Sequence, residues 1–275
     1  MSGILYVVGT PIGNLGDMSQ RAINTLDEVD FIAAEDTRVT LKLLNHFNIK
    51  KPMISYFEHN KLERGEIICS RIESGENCAI VTDAGMPCIS DPGELLVKQC
   101  AERGIKTVVI PGASAVVSAL AISGLPTGRF TFEGFLSTSK KSRTERLEQL
   151  KNEKRTMIFY EAPHKLAATL KDMYNTFGAR RISIVRELTK IHEEVIRTDL
   201  QTAAQEYADG SLKGEIVLVI EGAADEENEK EITLEQATKI ALEYMEQGLS
   251  ASESAKRTAK ETGFKKNEIY KTLID

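Results

Sequence analysis

The sequence predicts an α/β protein: two α/β domains followed by a small C-terminal helical appendage. Three observations carry this. Apolar strand-like runs alternate with helix-like patterns from residue 4 to residue 111. A turn-rich break, "SGLPTGRFTFEGF" at 123–135, then shifts the hydrophobic period towards two at Phe130 and Phe132. After an acidic stretch at 225–231, a Ser or Thr stands before each remaining helical run, as helix N-caps do. The boundaries so predicted are 1–123, 124–224 and 225–275.

In the first segment the strands are 4–8, 31–35, 52–57, 78–82 and 107–111. Between them Ala22, Ile23, Leu26 and Val29 recur near the helical period, as do Leu41, Leu44 and Phe47, then Ile67, Ile68 and Ile72, then Leu95, Leu96 and Cys100. Strands alternating with helices imply a mostly parallel sheet covered on both faces, with every strand-to-helix loop on one rim. In the second segment strands fall at 130–135, 156–160, 181–186, 193–198 and 215–221, with helices at 142–152, 163–176 and 199–208. Three late strands with one short helix among them predict a partly antiparallel sheet. Residues 233–247 and 250–274 read as two or three short helices in a helix-turn-helix-like pattern.

Composition excludes several classes. The four cysteines, Cys69, Cys78, Cys88 and Cys100, form no C-x-x-C pair, and no H-E-x-x-H occurs, so no metal site is expected. No stretch approaches a membrane span, and the N-terminal apolar run lacks the basic flank of a signal peptide, so a soluble, cytoplasmic protein is expected. The net charge of −6 argues against loose nucleic-acid binding over the whole surface. Two runs depart from that average: 137–155 and 256–271 each carry a net charge of +4, and 225–231 carries −4. Each fits a solvated helix face or a linker. Two basic runs in an acidic protein also fit a polyanionic partner.

The first strand drops into "GTPIGN", residues 9–14. A dinucleotide fingerprint needs glycine where Pro11 stands, and Pro11 has no N–H for a pyrophosphate. The Gly-Lys-Ser/Thr triplet of a P-loop occurs nowhere. The loop stands where ligands bind, with the wrong chemistry for a phosphate. The other rim loops are "AEDTR" (34–38), "TDAGMPCISDPG" (82–93) and "PGASA" (111–115). Their small side chains let a ligand touch backbone. Asp91-Pro92 has the form of an N-cap and first residue of a helix starting at 92. Asp83 has no equally good capping role.

Taken in order, "GTPIGN", "AEDTR", "TDAGMPCISDPG", "PGASA", "FEGF", "EAPHK" and "KGEIVLVIEG" resemble the tetrapyrrole methylase superfamily, and within it the ribosomal RNA small subunit methyltransferase I branch. The resemblance spans residues 4–222 and continues into the C-terminal helices. "EDTR" and "DAGMPCISDPG" are specific to that branch and "PGASA" is generic. Met86, Gly128 and Ser137 depart from the usual Thr, Asp and Pro.

The resemblance implies two α/β domains with a deep cleft between them, a homodimer, and S-adenosylmethionine folded in the cleft. It implies methylation of a cytidine ribose 2′-hydroxyl in the decoding region of small-subunit ribosomal RNA, in an assembled subunit. The cofactor positions it implies are Asp83, Ala84 and Gly85, then Ile89 and Ser90, then Ser114 and Ala115. From the second domain come Ala162, Leu188 and Gly214, and Thr10 and Pro11 face the transferred methyl.

A methyl donor carries no phosphate, so small-residue loops suit it better than a basic pocket. Methyl transfer from a sulfonium is largely a matter of positioning, and a base for the ribose hydroxyl would help. Candidates are Glu35, Asp36, Glu133, His164, Arg186 and Glu187. Each also has a plain structural role open to it: an ion pair of Glu35 with Arg38, a structural Arg186–Glu187 pair, a helix start at His164. Arg38 and Lys165 would grip a flanking phosphate, and Lys140, Lys141 and Arg143 the RNA backbone. Three other readings stand beside this one: a tetrapyrrole methylase with a hydrophobic cleft, an RNA-binding module without the donor, and a nicotinamide dehydrogenase, which the loop spacings disfavour.

Overall fold

The computed structural model describes residues 2–224 and 233–274. The acidic run 225–231 lies outside them. Residues Met1–Ala223 form one compact unit and Ala224–Asp275 a second.

The first sheet is made of β1 (Ile4–Val8), β2 (Phe31–Ala34), β3 (Met53–Ser55), β4 (Cys78–Val81) and β5 (Lys106–Ile110). Its order is β3-β2-β4-β1-β5 and every pair is parallel. The helices between these strands are α1 (Gln20–Glu28), α2 (Thr37–His46), α3 (Lys61–Glu73) and α4 (Glu94–Glu102). Side-chain alternation sends each strand to two cores. Leu5, Phe31 and Ile80 pack with Ile68 of α3 and Leu96 of α4, and Val8, Ile32 and Ala79 pack with Leu26 of α1 and Leu44 of α2. The chain leaves β1 towards β2 and leaves β4 towards β5, so strand order reverses between these two neighbours. That switch point is where open α/β sheets hold ligands.

The helix after β5 is α5 (Ala115–Ser123). It was not apparent in the sequence: "AVVSALAIS" is apolar on nearly every side and shows no helical period. Its place explains why. Val116, Ala119 and Leu120 pack on Ile158, Val185 and Val217 of the second sheet, while Val117 on the other side is 53 % exposed, so the outward face is apolar as well and the buried face does not stand out. For the same reason the boundary expected at 123/124 does not separate two compact units. The last helix of the first segment covers one face of the second sheet.

That sheet contains β6 (Phe130–Phe135), β7 (Thr156–Glu161), β8 (Arg181–Arg186), β9 (Glu194–Asp199) and β10 (Ile216–Ile220), in the order β6-β7-β10-β8-β9. It is mixed, as expected: β6 runs parallel to β7, while β10 is antiparallel to β7 and β8, and β9 to β8. Its other face is covered by α6 (Lys140–Leu150), α7 (Pro163–Phe177) and α8 (Leu200–Glu206) through Leu147, Leu166, Met173 and Leu200.

The second unit holds α9 (Leu234–Glu246), α10 (Ala251–Thr262) and α11 (Lys266–Ile274) around Ala237, Ala241, Ala255 and Ile269. Two of the caps expected from sequence are present, Thr233 in a capping box with Gln236 and Ser250 on α10, whereas α11 follows Lys265 rather than a Ser or Thr.

At the rim of the first sheet, backbone meets backbone. A Cβ on Gly112 would lie 2.8 Å from the main chain of Gly9, and one on Gly9 would lie 2.7 Å from Gly112. Neither loop can yield without moving its strand. Gly112→Ala is therefore expected to destabilise the α/β unit by about 1–3 kcal/mol, measured by urea unfolding, and unchanged stability would show that the loops are free to part.

Candidate active site

Three loops on this rim are fastened to one another. Thr10 N–H donates to the Gly85 carbonyl at 2.9 Å and Gly85 N–H returns to the Thr10 carbonyl at 3.2 Å. The Thr10 hydroxyl, 2 % exposed, donates to the carbonyls of Thr82 and Gly85. Gly9 N–H donates to the Ile110 carbonyl.

Beside this knot, between the two sheets, opens a cavity of about 390 Å³. The first sheet contributes Ile12, Ala84, Gly85, Ile89, Ser90, Ser114 and Ala115. The second contributes Phe135, Tyr160, Ala162, Leu188 and Val217. Ile89 and Phe135 are 51 % and 59 % exposed, an apolar surface ready to be covered by a flat ligand. The charged residues in the lining are Asp91, Glu161 and Glu215, and among the described residues it contains no Lys, Arg or His. Glu161 is engaged: it accepts from Ala162 N–H, the Thr169 hydroxyl and Lys165. Backbone strain gathers here. Ser90 has φ 62°, and Leu188 sits between Glu187 at 50° and Thr189 at 64°.

A second cavity, of about 280 Å³, uses the neighbouring residues of the same loops: Thr10, Pro11 and Gly13, then Thr82 and Asp83, with Val39, Thr40, Lys42 and Leu43 of α2. Of the expected cofactor positions, Ala84, Gly85, Ile89, Ser90, Ser114, Ala115, Ala162 and Leu188 thus share the first cavity. Thr10, Pro11 and Asp83 line the second. Gly214 lies in neither lining. Its φ is 95°, and a Cβ there would strike the Glu187 side chain.

Most candidate bases are committed elsewhere. Glu133, at a bulge in β6, pairs with Arg146 at 2.6 Å. Arg186 holds Glu194 and the Lys213 carbonyl. Glu187 accepts from Glu215 N–H and Lys190, and these contacts hold its carboxyl below the usual range. Asp36 caps α2 and binds the Arg38 guanidinium, which holds its pKa near about 2. Lys165 is tied to Glu161 and the Leu136 carbonyl. His164 is exposed on the first turn of α7.

Lys140 and Lys141 are exposed on α6, but Arg143 is not a surface contact. Its side chain is 10 % exposed, bonded to Asp172 and to the carbonyls of Ser137 and Thr138. It is a buried strut because position 143 faces the core side of α6 with Leu147 and Leu150.

Asp91 is the residue that sequence reasoning misplaced. The helix begins at Glu94, with Gly93 at φ 131° as its N-cap, so Asp91 caps nothing. The chain turns instead through Cys88 and Ser90, both at positive φ, which brings Asp91 into the cavity wall. Burial, then the charges of Glu35 and Asp83, push its pKa up to about 6. Glu35 and Asp83 are raised as well, chiefly by burial. Glu35 accepts from Asp83 N–H at 3.4 Å, and Asp83 from Asp36 N–H at 3.1 Å. The rim thus carries neighbouring carboxylates; Arg38 stands at their edge, and Lys42 shares a cavity wall with Asp83.

A family profile described as Tetrapyrrole (Corrin/Porphyrin) Methylases matches residues 4–204. The chain belongs to the tetrapyrrole methylase family. Within this family it is 47 % identical, over 99 % of its length and 98 % of the relative's, to the ribosomal RNA small subunit methyltransferase I of Synechocystis sp.. The protein of the same name from Thermotoga maritima is 46 % identical over 220 residues, 80 % of this chain and 99 % of that relative. Its matched length is close to that of the α/β unit. Among solved structures, the methyltransferase CobJ superposes with a TM-score of 0.60 at 19 % identity, covering 81 % of this chain and 95 % of that one. Uroporphyrin-III-C-methyltransferase from Thermus thermophilus superposes with a TM-score of 0.57 at 16 %, covering 80 % and 94 %. These structures show the tetrapyrrole methylase fold. The methyl donor of this family is S-adenosylmethionine, and the chain is a methyltransferase that uses it.

The first cavity fits that donor. It is apolar where an adenine would lie, is flanked by main chain at Ala84, Gly85, Ser114 and Ala115, and offers carboxylates but no basic side chain to a sulfonium. Asp91 carries a testable consequence. Its pKa in the folded chain, about 6, lies above its ordinary 3.8. The folded state therefore binds more protons than the unfolded state between these values, and stability falls as pH rises through that window. Asp91→Asn removes the penalty. Calorimetry should find the variant more stable than the native protein by about 1 kcal/mol at pH 7.5, a value discounted for partial exposure, and the advantage should vanish near pH 3.5. An advantage equal at both pH values would contradict the buried-carboxylate account.

Proposed function

We propose that the protein methylates the ribose 2′-hydroxyl of a cytidine in the decoding region of small-subunit ribosomal RNA. In this reading it acts in the cytoplasm, as a homodimer, on an assembled subunit. The observation that carries the reading is near-end-to-end similarity to relatives named for small-subunit ribosomal RNA methylation. The anionic, small-residue cavity supports it. Lys140 and Lys141, exposed beside one another at the start of α6, suit a phosphate backbone. No helix among the described residues is long and apolar enough to cross a membrane.

S-Adenosylmethionine, when bound, supplies a methyl group already activated by its sulfonium. The chain's own contribution is placement. The Thr10–Gly85 bridge and the Gly9–Gly112 contact hold the loops at fixed spacing, so the cavity wall does not have to reorganise. The attacking hydroxyl must lose its proton as the new C–O bond forms. Glu133, Arg186 and Glu187 are tied up in structural pairs, and of the wall carboxylates Glu161 is paired with Lys165 and Glu215 with Lys190, so in this reading Asp83 or Asp91 receives it. Burial raises both above the ordinary aspartate range, in the direction a base near neutral pH requires.

Mass mapping of ribose methylation in small-subunit ribosomal RNA tests the reading. Cells carrying the gene should show one 2′-O-methylcytidine in the decoding region that is absent on deletion and restored by complementation. An unchanged methylation map would overturn it.

A further inference from the structure

Residues 37–57 carry one sign of charge. Arg38, Lys42, Lys50 and Lys51 stand there with no Asp or Glu, although acidic residues outnumber basic ones by 41 to 35 over the chain. Helix phase turns this segment outward. Thr40 and Leu44 are the buried residues of α2, and Arg38, Lys42 and Asn45 lie on the opposite side, exposed. At the end of α2, Asn48 takes φ 58° and Ile49 N–H donates to the Leu44 carbonyl at 2.9 Å. This turn buries Ile49 and leaves Lys50 exposed, with Lys51 half-buried beside it.

The lysines are not committed to the fold. Several other cations of the α/β unit are paired: Arg71 with Glu76, Arg155 with Glu153 and Arg181 with Glu221. Arg143 and Lys165, both expected to meet RNA, are held by Asp172 and Glu161. Lys42, Lys50 and Lys51 have no ion pair or hydrogen bond among the described residues. Arg38 is 87 % exposed, but Asp36 offsets its charge, so the lysines carry the surplus.

The row begins at the site. Asp36, the N-cap of α2, donates its N–H to Asp83, and Lys42 lines the cavity that also holds Pro11 and Asp83. Because β2 and β3 are parallel, α2 must return from the rim to the opposite edge of the sheet. Its ten residues span about 15 Å and deliver Lys50 and Lys51 to that far edge.

We propose that the exposed face of α2 and the turn after it form a phosphate track for ribosomal RNA, with Lys42 near the site and Lys50 and Lys51 at the far end. A lone carboxylate or phosphate cannot engage cations spread along a helix, whereas a polynucleotide backbone can. Such contacts hold the strand in place without reading its bases. The assignment rests on the ribosomal RNA reading above and gives that substrate a path to the cavities.

Small subunits from cells lacking the gene, labelled S-adenosylmethionine and the full chain make the assay. Lys50→Gln combined with Lys51→Gln should raise KM for the subunit about tenfold at physiological salt. It should leave kcat unchanged, because neither residue lines a cavity. The slope of log kcat/KM against log salt concentration should become shallower by about 2, and adding Lys42→Gln should reduce it by about one more. Donor affinity, titrated calorimetrically without RNA, and the melting temperature should match the native protein. Lys98→Gln, Lys106→Gln and Lys171→Gln together remove the same charge from exposed positions elsewhere and should leave the slope native. A native KM and slope in the triple variant of Lys42, Lys50 and Lys51 would overturn the proposal. An equal loss in the control triple would overturn it too, by assigning the effect to net charge. If the native protein leaves subunits unmethylated, the ribosomal RNA reading itself fails and the track falls with it. If the native protein methylates and the triple variant matches it, only the track fails.

Discussion

The site depends on one close approach. Gly9 and Gly112 bring the loops after β1 and β5 into main-chain contact, and the Thr10–Gly85 bridge adds the loop after β4. Three adjacent strands of the first sheet end in loops that cannot move independently. No side chain larger than hydrogen fits at the contact, which is why glycine stands at the head of two loops that carry no phosphate-binding chemistry. The rim becomes a rigid wall lined by small residues, and the exposed main chain can meet a ligand directly.

Charge then divides what the wall encloses. On one side the lining offers Asp91, Glu161 and Glu215, and on the other Asp83 and Lys42. A cation without phosphate suits the first. The carboxylates Glu35, Asp83 and Asp91 lie close enough to raise one another's proton affinity, on top of the effect of burial. Such mutual repulsion is tolerated where function needs it and is relieved when a cation arrives.

Much of the architecture was legible in the sequence because its signals are local. The parallel sheet follows from strand-helix alternation, and the caps at Thr233 and Ser250 follow from hydroxyl residues placed before helical runs. The loop set at Ala84, Ser114, Ala162 and Leu188 was reached through motif resemblance, and the fold gathers those residues around one cavity. The misses were non-local. α5 hid its helical period because its outward face is apolar too, with Val117 53 % exposed. Arg143 stood in a basic run, yet its helix phase turns it towards Asp172. Asp91 preceded a proline like an ordinary N-cap, and only the left-handed turns at Cys88 and Ser90 show that the helix starts later.

The central claim is that the donor occupies the carboxylate-lined cavity between the sheets. A crystal structure of the chain with S-adenosylhomocysteine tests this most directly. The account requires density for the nucleoside against Ala84, Ser114, Ala162 and Leu188. Density for the adenosine moiety away from these residues would contradict the account.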